Sequence, residues 1–182
     1  IAATDEIKRA MAMAEFIPFR QVVQHIGAPD DEYDEHKIEA AFNCLDELIV
    51  FGSQLGVEIL VENIPNALSS AERLNVFVES SHLRVGYCFD TGHAHLGSGI
   101  EREFELMKHR IRSTHVHDND GQEDSHIFPL VGSGGAIDWK PTIELLRSLG
   151  DDVPLLLELR DVPDMAKPLE RVQETFDRLE NV

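Results

Sequence analysis

Five short apolar runs in the sequence each end in a side chain that is able to bind a divalent metal. The runs are VVQHIG, EILVEN, VGYCFDTGH, STHVHD and PLLLELR, and their metal-type residues are His25, Glu62, Asp90, His117 and Glu158. Carboxylates and imidazoles are common ligands of divalent metals. If the runs are parallel strands of an α/β barrel, their carboxyl ends converge on one face. The pattern therefore predicts a single metal site built from several strand ends.

The segments that flank these runs have the apolar periodicity of helices. The longest, residues 34–55, is followed by Gly56, a residue typical of the position just past a helix end. Other helices are predicted over residues 4–16, from a Ser69 or Ser70 cap to about residue 80, and over 101–110, 139–149 and 165–180. Strands are predicted over residues 22–27, 57–63, 84–90, 111–118 and 154–160, and a polar, Gly-rich loop over 119–137.

Strands that alternate with helices indicate an α/β fold with a parallel sheet, and nearly continuous apolar strands indicate that both faces are covered. We predict a (β/α)8 TIM barrel, present here as one partial domain over residues 1–182. Five strands cannot close an eight-stranded barrel, and the sequence opens inside a helix. We therefore expect that the N-terminal strands are missing. A free-standing five-stranded doubly wound sheet is the alternative.

Composition narrows the class of partner. The net charge is −18, from 34 acidic and 16 basic residues, and this field disfavours nucleic acid as a partner. No apolar run approaches the roughly 18 residues of a membrane span, and no signal peptide opens the sequence. Cys44 and Cys88 lack CxxC spacing and are typical of buried thiols in a reducing compartment. We expect a cytoplasmic protein with no membrane contact.

Two histidine motifs add candidates to the strand-end set. In Asp90-Thr91-Gly92-His93 the glycine permits a tight turn, so that His93 swings back over the site as a ligand or as a contact to substrate oxygen. In STHVHD, His115 and His117 face the same way. His117 lies nearer the strand end and is our choice of ligand, whereas His115 is more typical of a satisfied core histidine.

The polar loop carries a further pair. In Asp124-Ser125-His126 the acid and the histidine lie on one edge of an extended segment, and the VGSGGAIDW segment that follows is short of side chains. Such a loop is expected to pass close to a ligand. GxSxG, P-loop and dinucleotide fingerprints are absent from the sequence, so nucleophilic-serine and nucleotide chemistries are not indicated.

Taken together, these motifs resemble those of the xylose isomerase-like TIM barrel superfamily. The superfamily includes sugar phosphate isomerases and epimerases, inosose dehydratases and endonuclease IV-type AP endonucleases (AP endonuclease family 2). The resemblance rests on LVENIP, FDTGHAH, HVHDNDG, DSHIFPLVGSGGAIDW and LLLELR, which follow the family order from about residue 20 onwards.

The resemblance implies a four-ligand metal site at Glu62, Asp90, His117 and Glu158. It also implies that His93 contacts substrate. In ketose 3-epimerase-like members the two metal-bound glutamates also act as acid and base, here Glu62 and Glu158, while the metal polarises substrate oxygens and stabilises an enediolate. One departure is that the arginine which epimerases place shortly after the metal histidine is absent, and Glu123 and Asp124 occupy that region.

The function expected from this resemblance is divalent-metal-dependent isomerisation or epimerisation of a small sugar or sugar phosphate. An endonuclease IV-like AP endonuclease with a multi-zinc site is one alternative, because His25, His93, Asp124 and His126 would supply additional ligands. An inosose dehydratase-like lyase is another. Mn²⁺, Mg²⁺, Co²⁺ and Zn²⁺ all suit mixed carboxylate and imidazole ligands. The expected partner is a small-molecule sugar, and the sequence is compatible with a homo-oligomer.

Overall fold

The computed structural model describes residues 2–160 and 165–182 and divides into two compact units, Ile1–Cys88 and Phe89–Val182. Parallel strands alternate with helices in both units, and strands that neighbour one another in the sheet also neighbour one another in sequence. This confirms the predicted α/β class. No described helix has the length and apolarity needed to cross a membrane.

The first unit contains three helices and two complete strands, and β3 runs on from it into the second unit. Its elements are α1 (Ala2–Met11), a 3-10 segment (Ala12–Glu15), β1 (Gln21–Gln24), α2 (Glu35–Leu55), β2 (Glu58–Glu62), α3 (Ala71–Glu79) and β3 (Gly86–Asp90). β1 pairs with β2 from Gln21↔Glu58, and β2 pairs with β3 from Leu60↔Gly86.

Local sequence explains the bounds of α2. Asp34 caps its start by accepting a hydrogen bond from the His36 backbone N–H (2.8 Å), and Gly56 ends it in the left-handed region at φ 70°. The predicted helix over residues 34–55 is thus confirmed. Leu45 and Leu48 are buried on its inner face, as the apolar spacing indicates.

The start of α3 differs from the prediction in its mechanism. Ser70 occupies the N-cap position, but its side chain makes no capping hydrogen bond. The Ser69 hydroxyl instead donates to the Ile26 carbonyl (2.8 Å), which ties the start of this helix to the segment after β1. Neither serine is therefore a side-chain cap: Ser70 forms no capping hydrogen bond, and the Ser69 hydroxyl is used in a tertiary contact.

The second unit contains four helices and two further strands among its described residues. They are α4 (Thr91–Leu96), α5 (Ile100–Met107), β4 (Ile111–Val116), α6 (Trp139–Arg147), β5 (Leu155–Leu157) and α7 (Pro168–Glu180). β4 pairs with β5 from Thr114↔Leu155 to Val116↔Leu157. Its core includes Phe89 and Phe104, whose rings meet edge to face at 5.6 Å.

Two features of this unit correct the sequence prediction. The tight turn expected at Gly92 is wrong, because residues 91–96 form α4, with Asp90 as its N-cap. Two strands end early: β4 ends at Val116 rather than at residue 118, and β5 at Leu157 rather than at residue 160, so His117 and Glu158 each lie in the segment beyond a strand. The long loop is confirmed: between β4 and α6 the only described pairing is the isolated bridge Asp118↔Ile127.

Candidate functional site

Asp90 is the last residue of β3 and lies at the centre of the second unit's polar contacts. Its side chain is fully buried, and Oδ1 accepts a hydrogen bond from the His93 backbone N–H at 2.6 Å. Nε2 of His117 lies 3.0 Å from the same oxygen. The Asp90 carboxylate therefore has two roles: it caps the start of α4, and it contacts the imidazole of His117.

His117 is held in position by both of its backbone groups. The Thr91 hydroxyl accepts from the His117 N–H (3.2 Å) and donates to the His117 carbonyl (3.0 Å). Gly92 leaves room for the ring, since a Cβ atom at this position would overlap the imidazole. The DTG triplet thus positions His117 in three ways. The Asp90 carboxylate contacts its ring, the Thr91 hydroxyl binds its backbone, and Gly92 leaves room for the imidazole.

Three histidines and one acid form a compact group, which we call the histidine cluster: His93, His117, Asp124 and His126. Each offers a ligand atom, and these atoms lie within 4.8 Å of one another. Asp124 Oδ2 is 3.2 Å from Nε2 of His93 and 3.2 Å from Nε2 of His126. The His117 and His126 rings stack at 3.8 Å between centroids. The cluster therefore has the ligand types and spacing of a transition-metal or zinc site.

The charges of the cluster are coupled. Burial acts to raise the pKa of the Asp124 carboxyl, but hydrogen bonds from His126 and His93 outweigh it and hold that pKa well below its usual range. The hydrogen bond to Asp124 in turn raises the pKa of His126, against the effect of burial. Among the described residues, the ion-pair partners of Asp124 are all histidines. A metal cation could take the place of the protons that these rings share with the acid.

His126 has an unusual backbone conformation, with φ at 47°. This left-handed region is costly for residues other than glycine, and asparagine and aspartate tolerate it best. Its ring Nδ1 lies 3.1 Å from the Glu158 carbonyl, and its own carbonyl accepts from the Arg160 N–H at 3.1 Å. The segment after β5 thus holds His126 in a conformation that points its ring at Asp124.

Glu158, one residue beyond β5, pairs with a histidine that the sequence analysis sets aside. Its Oε2 is 2.8 Å from Nδ1 of His115, and its N–H donates to the Val116 carbonyl. Asp90, His115 and Glu158 each supply a potential ligand atom, and these three atoms lie within 4.8 Å of one another. The two histidines of STHVHD therefore contact different acids: His115 contacts Glu158, and His117 contacts Asp90.

Two predicted site residues, His25 and Glu62, belong to the first unit. Glu62 ends β2 with its side chain fully buried, and Nε2 of His25 lies 3.1 Å from its Oε2. His25 directly follows β1 and is half-exposed. The other six predicted site residues all lie in the second unit.

Sequence reasoning missed Asp118, which organises the loop that carries the histidine cluster. Its buried carboxylate accepts from the Ala136 and Ile137 N–H groups at 3.0 and 3.1 Å, and from Trp139 Nε1 at 2.7 Å. A Cβ atom on Gly135 would overlap this carboxylate. The available signal was an acid directly after a metal-type histidine, followed by a glycine pair and the only tryptophan.

Comparison with known proteins finds relatives along most of this chain. The protein y4fM of Sinorhizobium fredii is 30% identical over 163 residues, which cover 84% of this chain and 51% of y4fM. The chain spans about half the length of the curated relatives it matches.

Solved structures show the same fold over almost the whole chain. A crystal structure of a D-tagatose 3-epimerase-like protein is 25% identical, with a TM-score of 0.74 over 98% of this chain and 70% of that one. A structure of IOLI protein with a binding zinc atom has a TM-score of 0.75 at 20% identity, over 96% of this chain and 68% of that one. A family model described as a xylose isomerase-like TIM barrel matches residues 2–182, so the chain belongs to the xylose isomerase-like TIM barrel family.

Proposed function

We propose that this chain carries part of the active site of a divalent-metal-dependent isomerase or epimerase that acts on a small sugar or sugar phosphate. The observation that carries the proposal is the grouping of Asp90, His115 and Glu158, two carboxylates and an imidazole that converge at strand ends. Asp90 is fully buried, and a carboxylate oxygen of Glu158 lies within 4.8 Å of one of its own, so a cation between them would offset the cost of burying this charge. The similarity to an epimerase-like structure supports a sugar as substrate.

The imidazole ligand of the proposed metal site is either His115 or His117, and the contacts within the second unit favour one of them. The family resemblance implies His117 as the imidazole ligand, together with Glu62, Asp90 and Glu158. Within the second unit His115 is the imidazole beside Glu158, whereas His117 is a member of the histidine cluster. We propose His115 as the imidazole ligand that accompanies Asp90 and Glu158, with Glu62 as the predicted fourth ligand and His117 contacting Asp90 from the cluster side.

A divalent cation held by these residues would act as a Lewis acid toward substrate oxygens. The protein's own part is proton transfer at carbon. We assign this to Glu158 and Glu62, because a carboxylate can take a proton from carbon and return it. His115, 2.8 Å from Glu158 Oε2, holds the orientation of that carboxylate.

The test is exchange of substrate C–H hydrogen with heavy water, followed by NMR on the full-length protein across a ketose and ketose-phosphate panel. We expect exchange that depends on added Mn²⁺ or Co²⁺. Glu158→Gln should lower the exchange rate about a hundredfold or more, because it removes the base. The exposed Glu144→Gln variant, with the same charge change, should keep it. Absence of exchange across the panel would sink the proposal.

The histidine cluster favours a second candidate, an endonuclease IV-like enzyme with several zinc ions. His93, Asp124 and His126 supply metal-type ligands in addition to Asp90, His115 and Glu158. The net charge of −18 opposes binding to DNA. Incision of a duplex that contains one abasic site, assayed with added Zn²⁺, decides between the candidates, since the sugar enzyme should leave the duplex intact.

A further inference from the structure

A cavity of about 630 Å³ opens beside the histidine cluster in the second unit. Its polar lining is unusual for this protein, because two arginines and a histidine line it and no described acidic side chain does. The chain has 34 acidic residues against 16 basic ones, so a wall whose described residues include three basic groups and no acid departs from the overall composition. The polar lining residues are Ser125, His126, Ser133, Arg160 and Arg171.

The arginines keep their donors available. Among residues 2–160 and 165–182, neither the Arg160 nor the Arg171 guanidinium forms an ion pair with a carboxylate, although Arg178 on the same helix as Arg171 pairs with Glu174. A guanidinium presents several N–H donors in a fixed planar fork that matches phosphate and carboxylate oxygens. Two such forks on one cavity favour an anion as occupant.

A neutral donor lies in the same wall. Ser125 Oγ is buried and, within the part of the chain that the structure describes, has no hydrogen-bond partner. Leaving a buried hydroxyl without a partner costs free energy, so such a group in a cavity wall indicates a ligand atom that completes it. The lining also includes Gly132 and Ser133, and at Gly132 φ is 92° and no atom would meet a Cβ.

The cavity is connected to the proposed reaction site through the backbone. The Arg160 N–H donates to the His126 carbonyl at 3.1 Å, and Arg160 lies two residues after Glu158 on the segment that leaves β5. Ser125 lies between Asp124 and His126 of the cluster. A molecule that reaches from Glu158 past His126 would therefore place its far end against the two arginines.

We propose that this cavity, which we call the arginine pocket, binds the phosphate group of a phosphorylated sugar substrate. A phosphate ester offers three acceptor oxygens, enough for both guanidinium groups and the Ser125 hydroxyl, whereas a carboxylate offers two. The identity of the substrate as a sugar rests on the proposed function, but the anion preference of the pocket does not. The substrate class is therefore a sugar phosphate rather than a neutral sugar.

The test measures binding and not turnover. Full-length protein at fixed ionic strength is titrated with inorganic phosphate, fructose 6-phosphate, fructose and glucuronate, using calorimetry and phosphorus NMR. We expect fructose 6-phosphate to bind at least about tenfold more tightly than fructose, and inorganic phosphate to compete with it. Arg160→Ala and Arg171→Ala should each weaken phosphate binding about tenfold, and Arg160→Lys should weaken it less, because it keeps the charge but loses the fork.

Matched controls are Arg9→Ala and Arg84→Ala, which remove the same charge from exposed positions of the first unit and should leave the affinity unchanged. Metal content and circular dichroism of each variant report on folding. Equal affinity for fructose and its phosphate, an equal loss in the controls, or tighter binding of glucuronate would each overturn the proposal. Phosphate binding without C–H exchange would support the arginine pocket and count against the sugar isomerase or epimerase. C–H exchange on neutral sugars alone would support the sugar enzyme and count against the arginine pocket.

Discussion

The imidazole ring of His117 occupies the space that a side chain on residue 92 would need, and glycine at this position has no side chain to compete for it. The two residues meet because Thr91 binds both backbone groups of His117, which brings the first turn of α4 against the segment after β4. The close approach of the imidazole explains why glycine is found here.

Gly92→Ala should therefore destabilise the protein in spite of its better helix propensity. Overpacking of this kind costs about 1–3 kcal/mol in the free energy of unfolding, measured by urea denaturation. The variant should also displace His117 and so weaken metal binding by the histidine cluster.

The decisive control for Gly92 is the double variant. If the ring is the obstacle, Gly92→Ala should cost much less in a His117→Ala background, giving a coupling energy of about 1 kcal/mol or more. Additive costs of the two changes would show that the overlap with His117 is not the cause.

Asp118→Ala should loosen the loop between β4 and α6. The Ala136 N–H keeps the Asn119 carbonyl as an acceptor, but the backbone N–H groups of Asn119 and Ile137 and the indole of Trp139 each lose theirs. The change should therefore lower the free energy of unfolding by about 2–4 kcal/mol. Because Trp139 is the only tryptophan, its fluorescence reports on this contact directly. A red-shifted native spectrum is expected, and the exposed Asp152→Asn variant should leave the spectrum as it is.

Two substitutions at His126 separate the effect of its left-handed backbone conformation from the effect of its imidazole as a metal ligand. His126→Asn removes the imidazole but suits a φ of 47°, whereas His126→Ala removes the imidazole and keeps the strain. We expect the alanine variant to be about 1 kcal/mol less stable than the asparagine variant in thermal or urea unfolding. Both should lose the same affinity for Zn²⁺ or Co²⁺, followed by calorimetry and by the visible spectrum of Co²⁺. Unequal metal affinities would mean that the backbone, and not the ring, sets binding.

Added metal should stabilise the protein, because a ligand that binds only the folded state adds RT ln(1 + [L]/Kd), about 2.7 kcal/mol at a hundredfold excess over Kd. We expect His115→Asn to remove the stabilisation by Mn²⁺ that accompanies C–H exchange, and His117→Asn to remove mainly that due to Zn²⁺ at the histidine cluster. Thermal unfolding with each metal, together with elemental analysis, separates the two effects. If His117→Asn alone abolishes the Mn²⁺ effect, the ligand assignment made from the sequence is the right one.

Local sequence signals determined the elements of this protein well. α2 has a capping acid at one end and a glycine that tolerates positive φ at the other, so both of its bounds are encoded within a few residues. The apolar strands β2 and β3 and the loop after β4 could be predicted in the same way. The metal-type acids could be found because a carboxylate at the end of an apolar strand has few structural explanations.

Tertiary contacts decided what local patterns could not. The Gly92 turn was predicted from the freedom of glycine, but packing against His117 is the reason for that residue, and no local signal shows a ring that arrives from 25 residues away. Ser70 has the sequence of a cap but not its hydrogen bond, since capping depends on side-chain direction. The pairing of His115 with Glu158 and the lining of the arginine pocket depend on how β4, β5 and the loop meet. The sequence by itself thus determined which residues are able to do chemistry and on which elements they lie. Their partners were set by the tertiary structure, because distances between residues far apart in the chain depend on packing.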